Sequence, residues 1–203
     1  MATSIRLVAG LGNVGREYAN TRHNAGFWFA DALAAKLGTR FSAEGKFAGD
    51  LAKAGDIRIV KPSTYMNLSG RSIASVARFF SIDAAEILVV HDELDLRPGE
   101  TKMKFGGGHA GHNGLRDIHA QLGTGDFWRL RIGIGHPRDS EHAQQDVVDY
   151  VLKPPQLDDG VLIDDAVRRA LATWPAIAAG DMERAMMSLH TKPAPREKPK
   201  DEP

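Results

Sequence analysis

The sequence predicts an α/β protein, in which short buried strands alternate with amphipathic helices. Two mainly apolar runs, residues 5–10 and 87–90, have the length of buried strands, and the second is continuously apolar, as expected of a strand covered on both sides of a sheet. Segments with apolar side chains at helical spacing lie between and after them, at residues 27–37, 73–80 and 155–174. This alternation along the chain is typical of the α/β class.

Length and composition restrict the class of protein further. The chain has 203 residues, which corresponds to one domain or barely two, and 42% of them are apolar and 26% charged, as in ordinary globular proteins. Cysteine is absent, which excludes a disulfide framework, a thiolate zinc site and a cysteine nucleophile. No apolar run reaches the about 18 residues of a membrane span, and the first residues do not follow the pattern of a signal peptide, so we expect a cytoplasmic protein.

The formal net charge is zero, but the charges are unevenly distributed. Residues 101–140 carry six basic and three acidic side chains, a net charge of +3, whereas residues 141–170 carry three basic and seven acidic ones, a net charge of −4. A basic region in a neutral chain is compatible with a phosphate-binding face and equally with solvated surface.

The first predicted strand ends in a glycine-rich turn, residues 10–15, that matches the dinucleotide-binding pattern G-x-G-x-x-G. That function also requires a helix that begins inside the turn and a second strand that ends in an acidic residue about 20 positions later. Residues 16–21 are instead polar and aperiodic, and no such strand follows. We therefore favour a tight turn that exposes Asn13 at the strand end over a nucleotide site.

His23 is the first candidate for a catalytic group, because imidazole is the side chain whose ordinary pKa suits proton transfer near neutral pH. Asn20 or Thr21 is expected to cap the first helix. His23 would then lie in its first turn, where the helix dipole keeps the imidazole neutral and able to accept a proton. The alternative is a polar residue at a helix start with no chemical role.

The middle of the chain places polar groups at the ends of predicted elements. Residues 41–62 are expected to form two or three strands, and the polar loop 63–70 carries Tyr65 and Asn67. The buried strand at 87–90 leads directly to Asp92. Since ligands lie at the carboxyl ends of strands in open α/β sheets, we interpret Asp92 as a carboxylate that orients a histidine.

A second glycine-rich segment, residues 106–114, follows an expected edge strand at 101–105. Its His109 and His112 are metal-ligand types, but no cysteine or evident third ligand accompanies them, and we expect no metal. Asn113 offers a hydrogen-bond donor and an acceptor at the start of the next predicted helix.

The C-terminal third is predicted to hold a strand around residues 130–134 and helices at 155–174 and 181–190. Residues 191–203 contain four prolines, four basic and three acidic residues, a composition typical of a disordered tail.

Five stretches of the chain, in this order, together resemble the bacterial-type peptidyl-tRNA hydrolase family. They read Gly10-Leu11-Gly12-Asn13 with Thr21-Arg22-His23-Asn24-Ala25-Gly26, then Met66-Asn67-Leu68-Ser69-Gly70, His91-Asp92-Glu93-Leu94-Asp95, the glycine-rich segment 106–114, and Arg129-Leu130-Arg131-Ile132-Gly133-Ile134-Gly135-His136-Pro137.

This resemblance covers the chain to about residue 190. It implies one catalytic domain over residues 1–190, a three-layer α/β domain with a mixed, twisted β-sheet flanked by helices, and leaves 191–203 as a separate tail. It also implies hydrolysis of the ester that joins a peptide to the terminal ribose of tRNA, which recycles tRNA from prematurely released peptidyl-tRNA. The implied partner is peptidyl-tRNA, without metal, organic cofactor or membrane. A monomer is expected, since no exposed apolar helix face demands a dimer.

Position by position, the resemblance implies that His23 is the general base and that Asp92 orients its imidazole. Asn13 would distinguish a blocked from a free amino group, while Asn67 and Asn113 would bind the ester and the peptide backbone. The residues expected to contact the substrate or the tRNA are Tyr18, Tyr65, Met66, Asn67, Lys102, Lys104, His112, Asn113 and Arg131.

Two other functions remain as alternatives. A non-catalytic RNA-binding relative would share the fold, but it would have no need of a base together with an orienting acid. A nucleotide-dependent oxidoreductase rests on the first glycine turn alone.

Overall fold

The computed structural model of the protein describes residues 4–139 and 143–190. The tail predicted at residues 191–203 lies outside the described residues. None of the described helices is long and apolar enough to cross a membrane.

Seven strands form one sheet in the order β2-β3-β4-β1-β5-β7-β6. They are β1 (Leu7–Gly10), β2 (Ser42–Glu44), β3 (Gly49–Ala54), β4 (Ile57–Pro62), β5 (Ile87–Glu93), β6 (Thr101–Phe105) and β7 (Trp128–Gly133). β1 is parallel to β4 and β5, and β5 is parallel to β7, whereas the β2–β3, β3–β4 and β6–β7 pairs are antiparallel. The expected mixed sheet is confirmed, and β6 lies at an edge as predicted.

The described helices are α1 (Ala25–Lys36), α2 (Ser69–Phe79), α3 (Asn113–Leu122), α4 (Val147–Val151), α5 (Leu157–Ala172), α6 (Trp174–Ala178) and α7 (Met182–His190). The predicted helix 155–174 is shorter than expected, because the separate helix α6 begins at Trp174 and Pro175 in its first turn has no N–H with which to extend α5. Helix α4 was not predicted, since five residues are too few to show a helical period.

Two hydrophobic cores make the domain three-layered. Leu88 and Val90 of β5 point to one face, where they join side chains of α1, α5, α6 and α7. Val89, between them, points to the other face and packs with side chains of α2 and α3. The uninterrupted apolar run in β5 therefore reflects burial on both sides, as the sequence predicted.

The start of α1 packs directly on the carboxyl ends of β1 and β5. A Cβ atom on Gly26 would lie 2.3 Å from the carbonyl oxygen of Val90 and 2.4 Å from the backbone nitrogen of Leu11, so only glycine fits there. The Phe27 N–H donates to the Leu11 carbonyl at 3.1 Å. This close approach fixes the residues before α1 beside the ends of the two central strands.

Candidate active site

His23 lies in a 3-10 turn, Arg22–Asn24, that leads into α1. The expected cap of the first helix by Asn20 or Thr21 is wrong, because Asn24 is at the N-cap position of α1 and the Thr21 hydroxyl donates to the Tyr18 carbonyl at 2.9 Å. His23 therefore precedes the first turn of the α-helix.

Arg22 anchors this turn to the segment that follows α4. Its buried guanidinium donates to the carbonyls of Tyr150, Lys153 and Pro154 at 3.3, 3.2 and 2.9 Å, and it lies 4.0 Å from the centre of the Tyr150 ring. His23 and α4 are thereby held together, although they are distant in sequence.

Asp92, at the end of β5, is the partner of His23. The Nδ1 atom of His23 lies 3.0 and 3.1 Å from the two carboxylate oxygens, and only 3% of the Asp92 side chain is exposed. Because a carboxylate accepts hydrogen bonds, Nδ1 carries the proton, and Nε2 is left with a lone pair. This is the tautomer that a general base requires.

The charges of this pair set the pKa values of both groups. Burial raises the pKa of Asp92, but the attraction and hydrogen bonds of His23 and His112 outweigh it and hold this pKa well below its ordinary range. Burial lowers the pKa of His23, but the Asp92 carboxylate outweighs this effect and raises it above the ordinary 6.5. The expectation that the helix dipole would favour neutral imidazole is therefore wrong in direction, because the nearby carboxylate dominates.

A pH profile tests this assignment. We expect kcat/KM to rise with pH as His23 loses its proton, with a midpoint above 6.5 because Asp92 stabilises the imidazolium. The measurement is ester hydrolysis between pH 5 and pH 9, with the spontaneous rate subtracted at each pH. A midpoint at or below 6.5 would contradict the raised pKa.

Asn13 is buried, with 7% of its surface exposed, so the expectation of an exposed side chain is wrong. Its Oδ1 accepts a hydrogen bond from the Met66 N–H at 2.8 Å. The Asn24 side chain holds its backbone, accepting from the Asn13 N–H at 2.8 Å and donating to the Asn13 carbonyl at 2.9 Å. Since Oδ1 accepts this hydrogen bond, the Nδ2 group is the part of the side chain whose donors these contacts do not use.

A cavity of about 700 Å³ surrounds His23 and Asp92. The other predicted site residues that line it are Asn13, Tyr18, Tyr65, Met66, Asn67, Lys104, His112, Asn113 and Arg131. Lys102 is exposed on β6 and does not line the cavity.

Sequence reasoning missed several residues that line the same cavity. Arg129 alternates with Arg131 on β7, a signal that was available in the sequence. Three valines of the short helix α4 also line it, and no helical period in the sequence indicated this helix: Val147, Val148 and Val151.

One end of the cavity is positively charged. Arg129 is almost fully buried and donates to the carbonyls of Gly107 and Gly108, which fixes the glycine-rich loop. Arg131 pairs with Glu93, with 2.8 Å between Nε and Oε2. Burial, followed by repulsion from Arg131 and Arg129, lowers the pKa of Lys104, as expected of a cation held among like charges.

Three side chains of types that can bind metals lie together in the site. One potential ligand atom from each of His23, Asp92 and His112 lies within 4.8 Å of the other two. Hydrogen bonds already engage these atoms, with both histidines directed at the carboxylate. The arrangement is that of a hydrogen-bonded network around one carboxylate, in which a ring N–H, rather than a lone pair, faces Asp92.

Comparison with known proteins assigns the chain to a family. The family model described as "Peptidyl-tRNA hydrolase" matches residues 7–198. The chain belongs to the peptidyl-tRNA hydrolase family. Peptidyl-tRNA hydrolase from Azoarcus sp. (strain BH72) is 55% identical over 192 residues, which cover 94% of this chain and 86% of that protein. The peptidyl-tRNA hydrolase of Delftia acidovorans is 51% identical over 199 residues, 96% of this chain and 94% of its own length.

Solved structures of peptidyl-tRNA hydrolases share the fold. The crystal structure of peptidyl-tRNA hydrolase from Acinetobacter baumannii superposes with a TM-score of 0.88 at 43% identity, and the match covers 96% of this chain and 99% of that one. The predicted α/β fold of this peptidyl-tRNA hydrolase family member is thus confirmed by its relatives as well as by its own sheet.

Proposed function

We propose that this protein hydrolyses the ester between the peptide and the tRNA of peptidyl-tRNA. The observation that carries the proposal is the buried His23–Asp92 pair in a cavity that three asparagine side chains also line. Family membership indicates the substrate class, and the pair supplies a base suited to ester hydrolysis.

In the proposed reaction, Nε2 of His23 takes a proton from a water molecule as its oxygen attacks the ester carbonyl. Asp92 stabilises the imidazolium that forms. Asn67 and Asn113 donate hydrogen bonds to the negative charge that develops on the carbonyl oxygen. The tetrahedral intermediate then collapses, the bond to the ribose oxygen breaks, and the imidazolium returns its proton to that oxygen.

Asn13 would read whether the amino group of the substrate is blocked. Its Oδ1 is occupied by the Met66 N–H, which leaves the Nδ2 donors for the substrate. A peptide carbonyl would accept from Nδ2, whereas a free ammonium group would place donor against donor. This asymmetry favours peptidyl-tRNA over aminoacyl-tRNA.

The tRNA would lie along the positively charged end of the cavity, with Tyr18 and Tyr65 against its terminal nucleotides. Tyr65 is 61% exposed, which leaves its ring open to stacking. Lys104 and Arg131 would contact phosphates, and Lys102 would extend this surface outside the cavity. All of these groups come from one chain, and we propose that the protein works as a monomer in the cytoplasm.

Weakening the basic groups should affect long substrates more than short ones. We expect Lys104→Glu and Arg131→Gln to raise KM for N-acetyl-aminoacyl-tRNA about 3- to 10-fold and to lower its salt dependence by about one counterion each. KM for a short N-acetyl-aminoacyl nucleotide should stay unchanged. Lys53→Glu, on the exposed part of β3 outside the cavity, makes the same change of charge as Lys104→Glu and is its control. Equal increases of KM for both substrates would show that Lys104 and Arg131 do not contact the tRNA phosphates.

The direct test is release of the N-acetyl-amino acid from N-acetyl-aminoacyl-tRNA in the presence of EDTA. Hydrolysis under these conditions supports an esterase that needs no exchangeable metal. Tight tRNA binding without hydrolysis would instead favour the RNA-binding alternative.

A further inference from the structure

Asp92 holds two histidines with a single carboxylate. Its Oδ1 is 3.0 Å from Nδ1 of His23 and also 3.0 Å from Nε2 of His112, whereas its Oδ2 is 3.1 Å from Nδ1 of His23. The two imidazole rings are neighbours, with 5.2 Å between their centres. Because both histidines contact Oδ1, a change in the hydrogen bond from His112 also changes the hydrogen bond between Asp92 and His23.

The backbone at the start of α3 determines which nitrogen of His112 carries the proton. Nδ1 of His112 accepts from the N–H groups of Gly114 and Leu115, at 3.2 and 3.4 Å, and so caps the helix. An accepting ring nitrogen has no proton, so the proton of neutral His112 is on Nε2, which faces Asp92. The cap and the hydrogen bond to Asp92 thus require the same tautomer.

We propose that His112 is a positioning residue that fixes the Asp92 carboxylate and withdraws part of its negative charge from His23. The inference rests on the proposed esterase function and gives His112 a role that contact with substrate alone would not. A carboxylate that accepts two N–H donors binds the proton of either donor less firmly than one that accepts a single donor. His112 therefore keeps His23 basic enough to accept a proton but able to release it to the leaving oxygen.

No other titratable group in the described surroundings takes this role. His91 of β5 faces the ring of His112 at 5.1 Å and donates through Nδ1 to the Asp92 carbonyl at 2.7 Å. Burial, with smaller effects of His112 and Arg129, lowers the pKa of His91 to about 3, so it carries no charge at neutral pH. Glu93 and Arg131, further along the cavity, pair with each other.

Two substitutions separate the two functions of the His112 ring. In His112→Asn, the amide oxygen takes the place of Nδ1 and keeps the helix cap, but the side chain is too short to reach Asp92. In His112→Gln, the amide nitrogen takes the place of Nε2 and donates to Asp92, but no acceptor is left for the cap. The first variant removes the proposed interaction, and the second retains it.

We expect His112→Asn to retain the wild-type fold and the helix cap, and to move the acid limb of the kcat/KM profile to higher pH by about half a unit to one unit. His112→Gln should melt at lower temperature and retain the wild-type position of the limb. The same shift should be seen without substrate, in an NMR titration of the His23 ring carbon and nitrogen signals of each full-length variant.

The reverse pattern, with the profile moved in His112→Gln and not in His112→Asn, would overturn the proposal and leave His112 as a helix cap. A higher KM with an unchanged His23 titration would also overturn it, in favour of substrate contact alone. The NMR titration does not depend on turnover, so absence of hydrolysis by the wild type would count against the proposed function and not against the coupling.

Discussion

His23→Ala is expected to lower kcat by about 10²- to 10⁴-fold, the range that a positioned general base contributes. The variant lacks the imidazole that the turn before α1 places beside Asp92. The attacking water then loses the group that accepts its proton. Side chains at the positively charged end of the cavity are untouched. The Kd for N-acetyl-aminoacyl-tRNA, measured by filter binding, should therefore stay within about threefold of the wild type.

A second histidine that lines the cavity provides the control for this variant. His136 borders the same cavity, and its Nδ1 accepts from the Arg138 N–H. His136→Ala should retain most of the wild-type kcat. If His23→Ala retains more than about a tenth of the wild-type kcat, a factor too small for loss of a general base, the base lies elsewhere.

Asp92→Asn should lower kcat by about 10²- to 10⁴-fold for a different reason, namely the wrong tautomer of the base. The amide oxygen would accept from Nε2 of His112, which the start of α3 holds in its donor form. The amide nitrogen would then take the place of Oδ2, where its donors face Nδ1 of His23 and favour the tautomer with the ring proton on Nε2. A base with its proton on Nε2 cannot accept one from water, although the geometry of the site is retained.

Asp95→Asn is the matched control, since Asp95 lines the same cavity and forms an exposed ion pair with Arg138 at 3.5 Å. It should leave kcat nearly unchanged. Circular dichroism of both variants should show the wild-type fold. An Asp92→Asn variant with wild-type kcat would reduce Asp92 to a buried structural acid.

The sequence predicted the candidate site best at positions where the residue type is seldom needed for structure alone. A histidine before a helix and an acid at the end of a buried strand both lie at the edge where parallel strands end, and their side chains meet there. The mixed sheet, its edge strand and the long helices followed from apolar periodicity, which reflects burial directly.

What the sequence could not show depends on contacts between distant segments. Burial of Asn13 arises from hydrogen bonds to Met66 and Asn24, and nothing in the residues around Asn13 indicates them. The raised pKa of His23 could be inferred only once the structure showed that Asp92 lies close to it. The nearby helix end, which the sequence does show, suggested a lowered pKa instead. The second histidine on Asp92 likewise became visible only when α3 was placed beside β5.

The anchoring of Arg22 to the segment after α4 has a consequence for the order of events during synthesis. The hydrogen bond from Arg22 to the Pro154 carbonyl joins residues 132 positions apart. A growing chain carries His23 long before the strand of Asp92, the loop of His112 or the carbonyls that hold Arg22. At about 5 to 20 residues per second, synthesis of the intervening residues takes about 7 to 26 seconds. Each new molecule should thus remain inactive until the segment after α4 has been synthesised and has joined the fold.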